Sequence, residues 1–564
     1  MNVYKIISKA IKDKLQDIDD VKEFLNQQIS DNIVVEVPKN RDFGDFSTNV
    51  AMVLARPMGS NPRAIAEKIL PYLESIDYVD HVSIAGPGFI NMVLKEDFIF
   101  NAALQPINFD DIKKQIIDLD YGGYNIGKSL HIGHLRTTVV GDTFNRVAKF
   151  IGHKTKSYNH MGDWGRPMGL IIAWILEYGY PKTADDINNM YPASSARAST
   201  DEEWMNHAKE ITVKLQDGNE EYRKVYDFFA PISLKQIDGI LKRLNVLPFD
   251  ENKGERLVAE YIPEVHQILK TKNLPIISEG AEIIPVKLDS DTAPMPPVMW
   301  RSSAGAQTYA AADLTAIYYR KKTDNPDEII YFTDSRQNLH FLQIFRAAEM
   351  VGFTGFELHH IGFGAITGAD GKPFKTRDGN VPSLIEMIDL VRDSVRGRVQ
   401  ESNKTLSDET IEMIALAALK FNDLIHNVKS DYIFDLDGVT SFEGRTGPYV
   451  LYTAVRMNSI LKKAGFLEIS KQQKLCPEEY AALFDILDFE RSVLEVFDKQ
   501  DTSILANYTY NLCQKINSFY HNCPILQDNI SKDLRNHRLQ IVKMAHNILL
   551  SAIDLMGLSI PDEM

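Results

Sequence analysis

Cysteine is the residue this chain most nearly does without. Only Cys476, Cys513 and Cys523 occur in 564 residues, and none stands in a C-x-x-C pair. That argues against a disulfide framework and against a zinc site, so buried thiols are expected. Long apolar runs are also missing: the longest, Gly169 to Leu176, is far too short to span a bilayer. The start, Met1-Asn2-Val3-Tyr4-Lys5, has neither a continuous apolar core nor a cleavage site, so secretion is not expected and the cytoplasm is the default compartment. No internal repeat or low-complexity tract is present, which sets solenoid and scaffold readings aside. Basic charge is in deficit, with 62 Lys and Arg against 77 Asp and Glu, a net charge of −15, and no dense basic tail. Such a balance ordinarily counts against nucleic acid, but local patches can override it, so any RNA contact must come from structured positions.

What remains is a globular composition, 44% hydrophobic and 25% charged, over a length that calls for two to four domains. Patterning divides it into three regions. Residues 1–110 open with an amphipathic helix, include a helix with Asn61 as cap and Pro62 in its first turn, and continue through Val82 to Ile84, Gly86-Pro87-Gly88 and Phe89 to Leu94, which suggests an α+β module. Residues 111–395 alternate strand-like runs with helices, as a Rossmann-like parallel sheet of α/β class requires. Its strand candidates are Gln115 to Asp120, Lys154 to Asn159, Glu282 to Leu288, Ile329 to Thr333 and Leu358 to Gly362, with a helical insertion at about 184–270. Residues 396–564 read as an all-α bundle, with helices over Ile411 to Ile425, Tyr449 to Lys463, Leu505 to His521 and Lys532 to Met556.

The most informative run is Asn125-Ile126-Gly127-Lys128-Ser129-Leu130-His131-Ile132-Gly133-His134. It follows a buried strand and precedes Leu135, Val139, Thr143, Val147 and Ile151, which recur at helical spacing until Gly152 supplies a stop. His131 and His134 therefore sit near a helix N-terminus, where free N–H groups and the helix dipole favour phosphate, and Gly133 has no side chain to keep a flat base away. An ordinary helix start with two partly exposed histidines is the plainer alternative. A second phosphate-loop candidate, Gly368 to Gly379, combines glycines with Lys372, Lys375 and Arg377. Its plainer alternative is a solvated loop; two such loops from one sheet could clamp an in-line transition state.

With these blocks in place the chain resembles a class I aminoacyl-tRNA synthetase and, within that class, the arginyl-tRNA synthetases, over essentially its whole length. Gly44 to Asn49 and Ala85 to Asn91 resemble the N-terminal domain of that family. His131-Ile132-Gly133-His134 matches the class signature, followed by Asn159 to Gly165. Ser430-Asp431-Tyr432, Ser441 to Gly444, Thr446 to Tyr449 and Asn517 to His521 resemble its helical anticodon-binding domain. The resemblance implies that His131, Gly133, His134, Lys372 and Lys375 hold ATP, and that Lys375 and Arg377 belong to a loop that closes on the triphosphate. Pro373-Phe374-Lys375-Thr376-Arg377 stands where the class pattern is Lys-Met-Ser-Lys-Ser, and Lys128 would supply the missing second lysine. Arginine contacts map by resemblance to Asn91, Asp120, Asn125, Tyr309, Asp313 and Gln337. A guanidinium has five donors in a planar fork, so a selective site needs carboxylates and amide oxygens in fixed positions.

The expected activity is formation of arginyl-adenylate from L-arginine and ATP, with Mg²⁺ assisting, and transfer to tRNA(Arg), by a monomer with no membrane partner. Two alternatives stay open: a relative that binds tRNA or amino acid without charging, and a ligase for another guanidino amino acid. The second draws on departures from the family pattern. Gly122-Gly123-Tyr124-Asn125 replaces Ser-Ser-Pro-Asn, Arg166-Pro167 follows Gly165, and Ala310-Ala311-Ala312 links Tyr309 to Asp313. Each is expected to remove polar contacts near the site.

Overall fold

The computed structural model describes residues 3–38, 40, 43–372, 374, 382–465 and 473–564. The chain forms two compact units, one built from Met1–Asp110, Thr453–Glu495 and Asn507–Ala552, the other from Asp111–Tyr452, Val496–Ala506 and Ile553–Met564.

In the first unit the opening helix Val3–Gln16 buries Val3, Ile7, Ile11 and Leu15, one apolar stripe at four-residue spacing. An antiparallel sheet holds β1 (Val35–Glu36), β2 (Phe46–Thr48), β3 (Val79–Ala85) and β4 (Phe89–Leu94) in the order β1-β2-β4-β3. The β3–β4 turn uses Gly86 and Gly88 at φ +53 and +143, backbone that other residues rarely adopt. Asn61 caps the helix Pro62–Glu74 by accepting from the Arg63 N–H at 2.8 Å. The C-terminal helices include Pro477–Leu487 and Lys532–Leu555. Cys513 and Cys523 are buried as expected, but Cys476 is only half-buried, and its sulfur lies 3.0 Å from that of Cys523.

The second unit is organised by a parallel sheet of β5 (Ile116–Asp120), β6 (Lys154–Tyr158), β10 (Glu328–Asp334) and β11 (Glu357–Phe363), in the order β11-β10-β5-β6. The chain leaves β5 towards β6 on one side and pairs with β10 on the other, so the crevice beyond Asp120 and Tyr331, which are in register, is a topological switch point. Trp300, Leu314, Ile317, Ile329, Tyr331, Phe341 and Ile344 belong to one core that carries the helices Tyr309–Thr323 and Asn338–Val351.

The expected strand Glu282 to Leu288 lies elsewhere. It forms β8 (Ala281–Ile284) between β7 (Ile276–Ser278) and β9 (Val298–Arg301) in an antiparallel sheet. It ends before Pro285, which has no N–H to continue a ladder. The insertion is helical, with Ala184–Ala198, Glu202–Gln216, Glu220–Arg243 and Ile262–Thr271. Side chains of Thr183, Asp201 and Asn219 cap the first three of these helices. A short parallel pair, β12 (Ile366–Thr367) with β13 (Tyr432–Ile433), completes the unit. No helix among the described residues is long and apolar enough to cross a membrane.

Candidate active site

The switch-point crevice holds a cavity of about 310 Å³, lined by Asp120, Asn125, His131, Gly133, His134, His160, Asp313, Asp334, Arg336 and Gln337, among others. The helix Gly133–Ile151 starts there, and both histidine rings accept from backbone N–H groups at its start. The His131 backbone N–H donates to His134 Nδ1 at 3.1 Å, and the Gly133 N–H donates to His131 Nδ1 at 3.1 Å. With both Nδ1 atoms accepting, the proton of each neutral ring is assigned to Nε2. Burial lowers the pKa of both rings; Lys128 and Arg336 add to this at His131, and His131 and Lys128 at His134, which falls to about 3. The pair, 4.0 Å between ring centroids, is therefore two neutral imidazoles able to donate from Nε2.

A Cβ on Gly133 would lie 2.8 Å from His131 Cε1, so the missing side chain leaves room for the ring of the first histidine. Gly122 is similarly constrained. A Cβ would come within 2.3 Å of Asn159 Oδ1, and Asn159 is held by a 3.0 Å bond to Asn252. A serine at 122 requires Asn159 to move. Ala310 and Ala311 pack into the core, and only Ala312 of that triplet lines a cavity. Those two alanines therefore do not strip polar groups from the site.

Asn125 also lines a second, adjoining cavity of about 410 Å³, with Gly162, Trp164, Arg166, Gln216, Glu255, Gln307, Tyr309 and Ala312. Tyr309, 66% exposed, is not a core aromatic; its ring lies 5.0 Å from that of His340. Asp313, one turn further along the helix Tyr309–Thr323, accepts from His340 Nε2 at 2.7 Å and stands 3.6 Å from His160. Glu255 was missed in the sequence. Burial, then Asp313, then Asp163 raise its carboxyl to about pKa 8. Asp163 is raised by burial too, while accepting from Tyr226 at 2.9 Å and the Arg256 N–H at 3.0 Å. A half-buried carboxyl near two others is the electrostatic complement of a cation. No local signal marks Glu255, which opens a four-residue helix inside the insertion.

The other expected residues are distributed as follows. Asp120 lines the first cavity with its carboxylate 2.5 Å from the buried Arg320 guanidinium. Gln337 lines the same cavity at the end of a 3-10 turn, Ser335–Gln337. Asn91 lies on β4 of the other unit, buried, opposite Ser47 and Ser83, and lines neither cavity. Lys128 also lies outside both linings, its ammonium 4.2 Å from the Tyr191 ring centroid. Lys372 is exposed, and Lys375 and Arg377 fall outside the described residues. The first cavity's carboxylates are already engaged, Asp120 by Arg320, Asp313 by His340 and Asp334 by Arg336. They do not make a free metal-ligand set.

Donors at a helix start beyond a parallel strand, facing an acidic recess, suit a triphosphate beside a cationic substrate. Residues 100–436 match the model for the class I (R) tRNA synthetase catalytic domain, which sets the fold and site in class I of the aminoacyl-tRNA synthetases. The flanks narrow this: residues 5–94 match the arginyl tRNA synthetase N terminal domain, and 450–564 match the DALR anticodon binding domain. The chain belongs to the arginyl-tRNA synthetase family. It is 33% identical over 553 residues to the arginine–tRNA ligase of Idiomarina loihiensis, covering 94% of this chain and 95% of that protein. It is 35% identical over 561 residues to that of Pseudomonas savastanoi pv. phaseolicola, covering 96% of each. The Thermus thermophilus arginyl-tRNA synthetase structure shares the fold at TM-score 0.85 and 22% identity, covering 100% of both chains. Ser430-Asp431-Tyr432, attributed from sequence to the anticodon-binding domain, falls inside the catalytic match.

Proposed function

We propose that this protein activates L-arginine with ATP and transfers the arginyl group to tRNA(Arg). The observation that carries the reading is the adjacency of an acidic recess, with Glu255 and Asp313, to two neutral imidazoles at a helix start. The guanidinium sits between those carboxylates, with Tyr309 alongside. Asp120, Asn125 and Gln337 face the ammonium and the remaining polar groups. This orientation points the substrate carboxylate towards the triphosphate.

A carboxylate oxygen then attacks the α-phosphorus, and pyrophosphate leaves with the electrons of the broken P–O bond. His131 and His134 donate from Nε2 to phosphate oxygens, and Lys128, Lys372, Lys375 and Arg377 supply positive charge; none becomes covalently modified. Magnesium enters as MgATP, with phosphates as its ligands, which agrees with the engaged carboxylates of the cavity. In the second step a terminal ribose hydroxyl of tRNA attacks the acyl carbon and AMP leaves. Residues 1–110 and 396–564 are assigned to tRNA binding, about the catalytic region 111–395. A cytoplasmic monomer completes the reading. Charging of a tRNA(Arg) transcript with labelled arginine tests it: product is expected with arginine and none with lysine, and failure to charge with arginine refutes it.

A further inference from the structure

Arg136 stands two residues beyond His134 and is 1% exposed. Its Nη1 donates to the carbonyls of Gly364 at 2.9 Å and Ser430 at 2.8 Å, and its Nη2 to Asn427 O at 3.5 Å. Nε lies 3.1 Å from Asp423 Oδ1, which also accepts from the Tyr432 hydroxyl at 2.9 Å, and the guanidinium carbon is 5.1 Å from the Tyr432 ring centroid. Gly364 and Ser430 each precede a strand of the β12–β13 pair. That pair is closed further by Ala365 N–H on Asp431 Oδ1 at 2.6 Å and Phe434 N–H on Thr367 O at 2.9 Å. A Cβ on Gly364 would come within 2.3 Å of the Ser430 carbonyl carbon, so the two backbones are pressed together beneath the guanidinium.

We propose that Arg136 is a positioning residue for adenylate formation, fixing the helix of the two signature histidines to the β12–β13 pair. The proposal rests on the functional reading above. Apolar packing needs no buried charge, and a lysine presents its donors from a single atom, so it is the planar fork that sets the distance between the histidine helix and the β12–β13 pair.

The test is Arg136→Lys and Arg136→Met, with arginine binding by calorimetry counting folded sites and pyrophosphate exchange in the presence of tRNA(Arg) giving kcat and the ATP KM. Stoichiometry and arginine Kd within twofold of the unmodified protein are expected, with kcat down about 10²-fold at an unchanged ATP KM. Unchanged kcat, or a loss of activity that only tracks a loss of arginine sites, overturns the proposal. If neither variant folds, Tyr432→Phe removes one hydroxyl behind Asp423 and is expected to lower kcat several-fold; unchanged kcat there also overturns it. Absence of exchange by the unmodified protein instead sinks the functional reading.

In the first unit, 47 residues separate Cys476 from Cys523 while 3.0 Å separates their sulfurs, about 1 Å more than a disulfide bond. We infer that the pair is an oxidisable site that forms an intramolecular disulfide with a low-molecular-weight disulfide as oxidant. Cys476, the more exposed thiol, attacks glutathione disulfide as its thiolate and releases one glutathione. Cys523 then attacks Cys476 Sγ and expels the second, so two protein thiols are oxidised, one disulfide is reduced, and the two protons pass to the departing glutathiones. After incubation of the full chain with glutathione disulfide, alkylation and peptide mapping should show free thiols reduced from three to one, with Cys476 joined to Cys523 and the buried Cys513 unchanged. In Cys523→Ser, glutathione should remain on Cys476. Three surviving thiols in the unmodified protein, or no adduct in the variant, overturn the inference.

Discussion

Asp313 accepts a hydrogen bond from Nε2 of His340 at 2.7 Å. A carboxylate can only accept, so the histidine fixes Oδ2, while Oδ1 stands 3.6 Å from His160. The carboxylate is thus oriented before any substrate arrives. Oriented acceptors separate a guanidinium from an ammonium, because the planar fork rewards fixed positions more than charge alone.

Asp313→Asn should weaken arginine binding by roughly 2–4 kcal/mol, since it removes one half of a charge-assisted pair. Calorimetry measures this directly. An unchanged Kd would take Asp313 out of the pocket.

Glu255 should make arginine binding pH-dependent. With its carboxyl raised to about pKa 8 in the free protein, a bound guanidinium favours the charged form and lowers that value. Binding below pH 8 must therefore release a proton, so affinity rises with pH up to about tenfold per unit between pH 6 and 8 and levels off above. Titrations in buffers of different ionisation enthalpy should report close to one proton released at pH 7. Glu255→Gln should bind more weakly and lose the slope; a slope retained in that variant refutes the assignment.

The neutral histidines lead to a kinetic prediction. His134→Ala should slow adenylate formation by about 10²-fold or more while leaving tRNA affinity nearly intact. Burial holds His134 down at about pKa 3, so its own titration contributes no slope to the rate of the free protein between pH 6 and 8. Loss of tRNA binding in parallel with loss of rate would contradict the role.

Away from the site, Lys420 is fully buried and donates to the carbonyls of Leu244 at 2.8 Å and Gly557 at 2.7 Å. Gly557 has φ +62, and a Cβ there would lie 2.6 Å from Lys420 Nζ. Gly557→Ala should therefore cost roughly 1–3 kcal/mol of stability from backbone strain alone. The urea midpoint reads this, and no change in it would mean that the tail relaxes freely.

Much of this architecture was legible because it is local. The helix after His134 announces itself by five positions at helical spacing, four of them apolar, and ends at Gly152, which has φ +99. β5 and β10 carry short apolar runs, β6 and β11 form where strands were read although polar residues interrupt them, and the Asn61-Pro62 start appears as read. Contacts between distant residues were not legible. Glu255 meets Asp313 only through the fold, Cys476 meets Cys523 across the chain, and β8 resembles its parallel neighbours in sequence while pairing antiparallel with β7 and β9. The closeness of the His131 ring to Gly133 was hidden as well, because a sequence does not show ring placement.

Pyrophosphate exchange with arginine, with and without tRNA(Arg), tests the central claim most directly. The account predicts exchange that depends on arginine, is strongly promoted by tRNA, and is absent with lysine. No exchange under any condition, or exchange as fast without tRNA and supported by another guanidino amino acid in place of arginine, would contradict it.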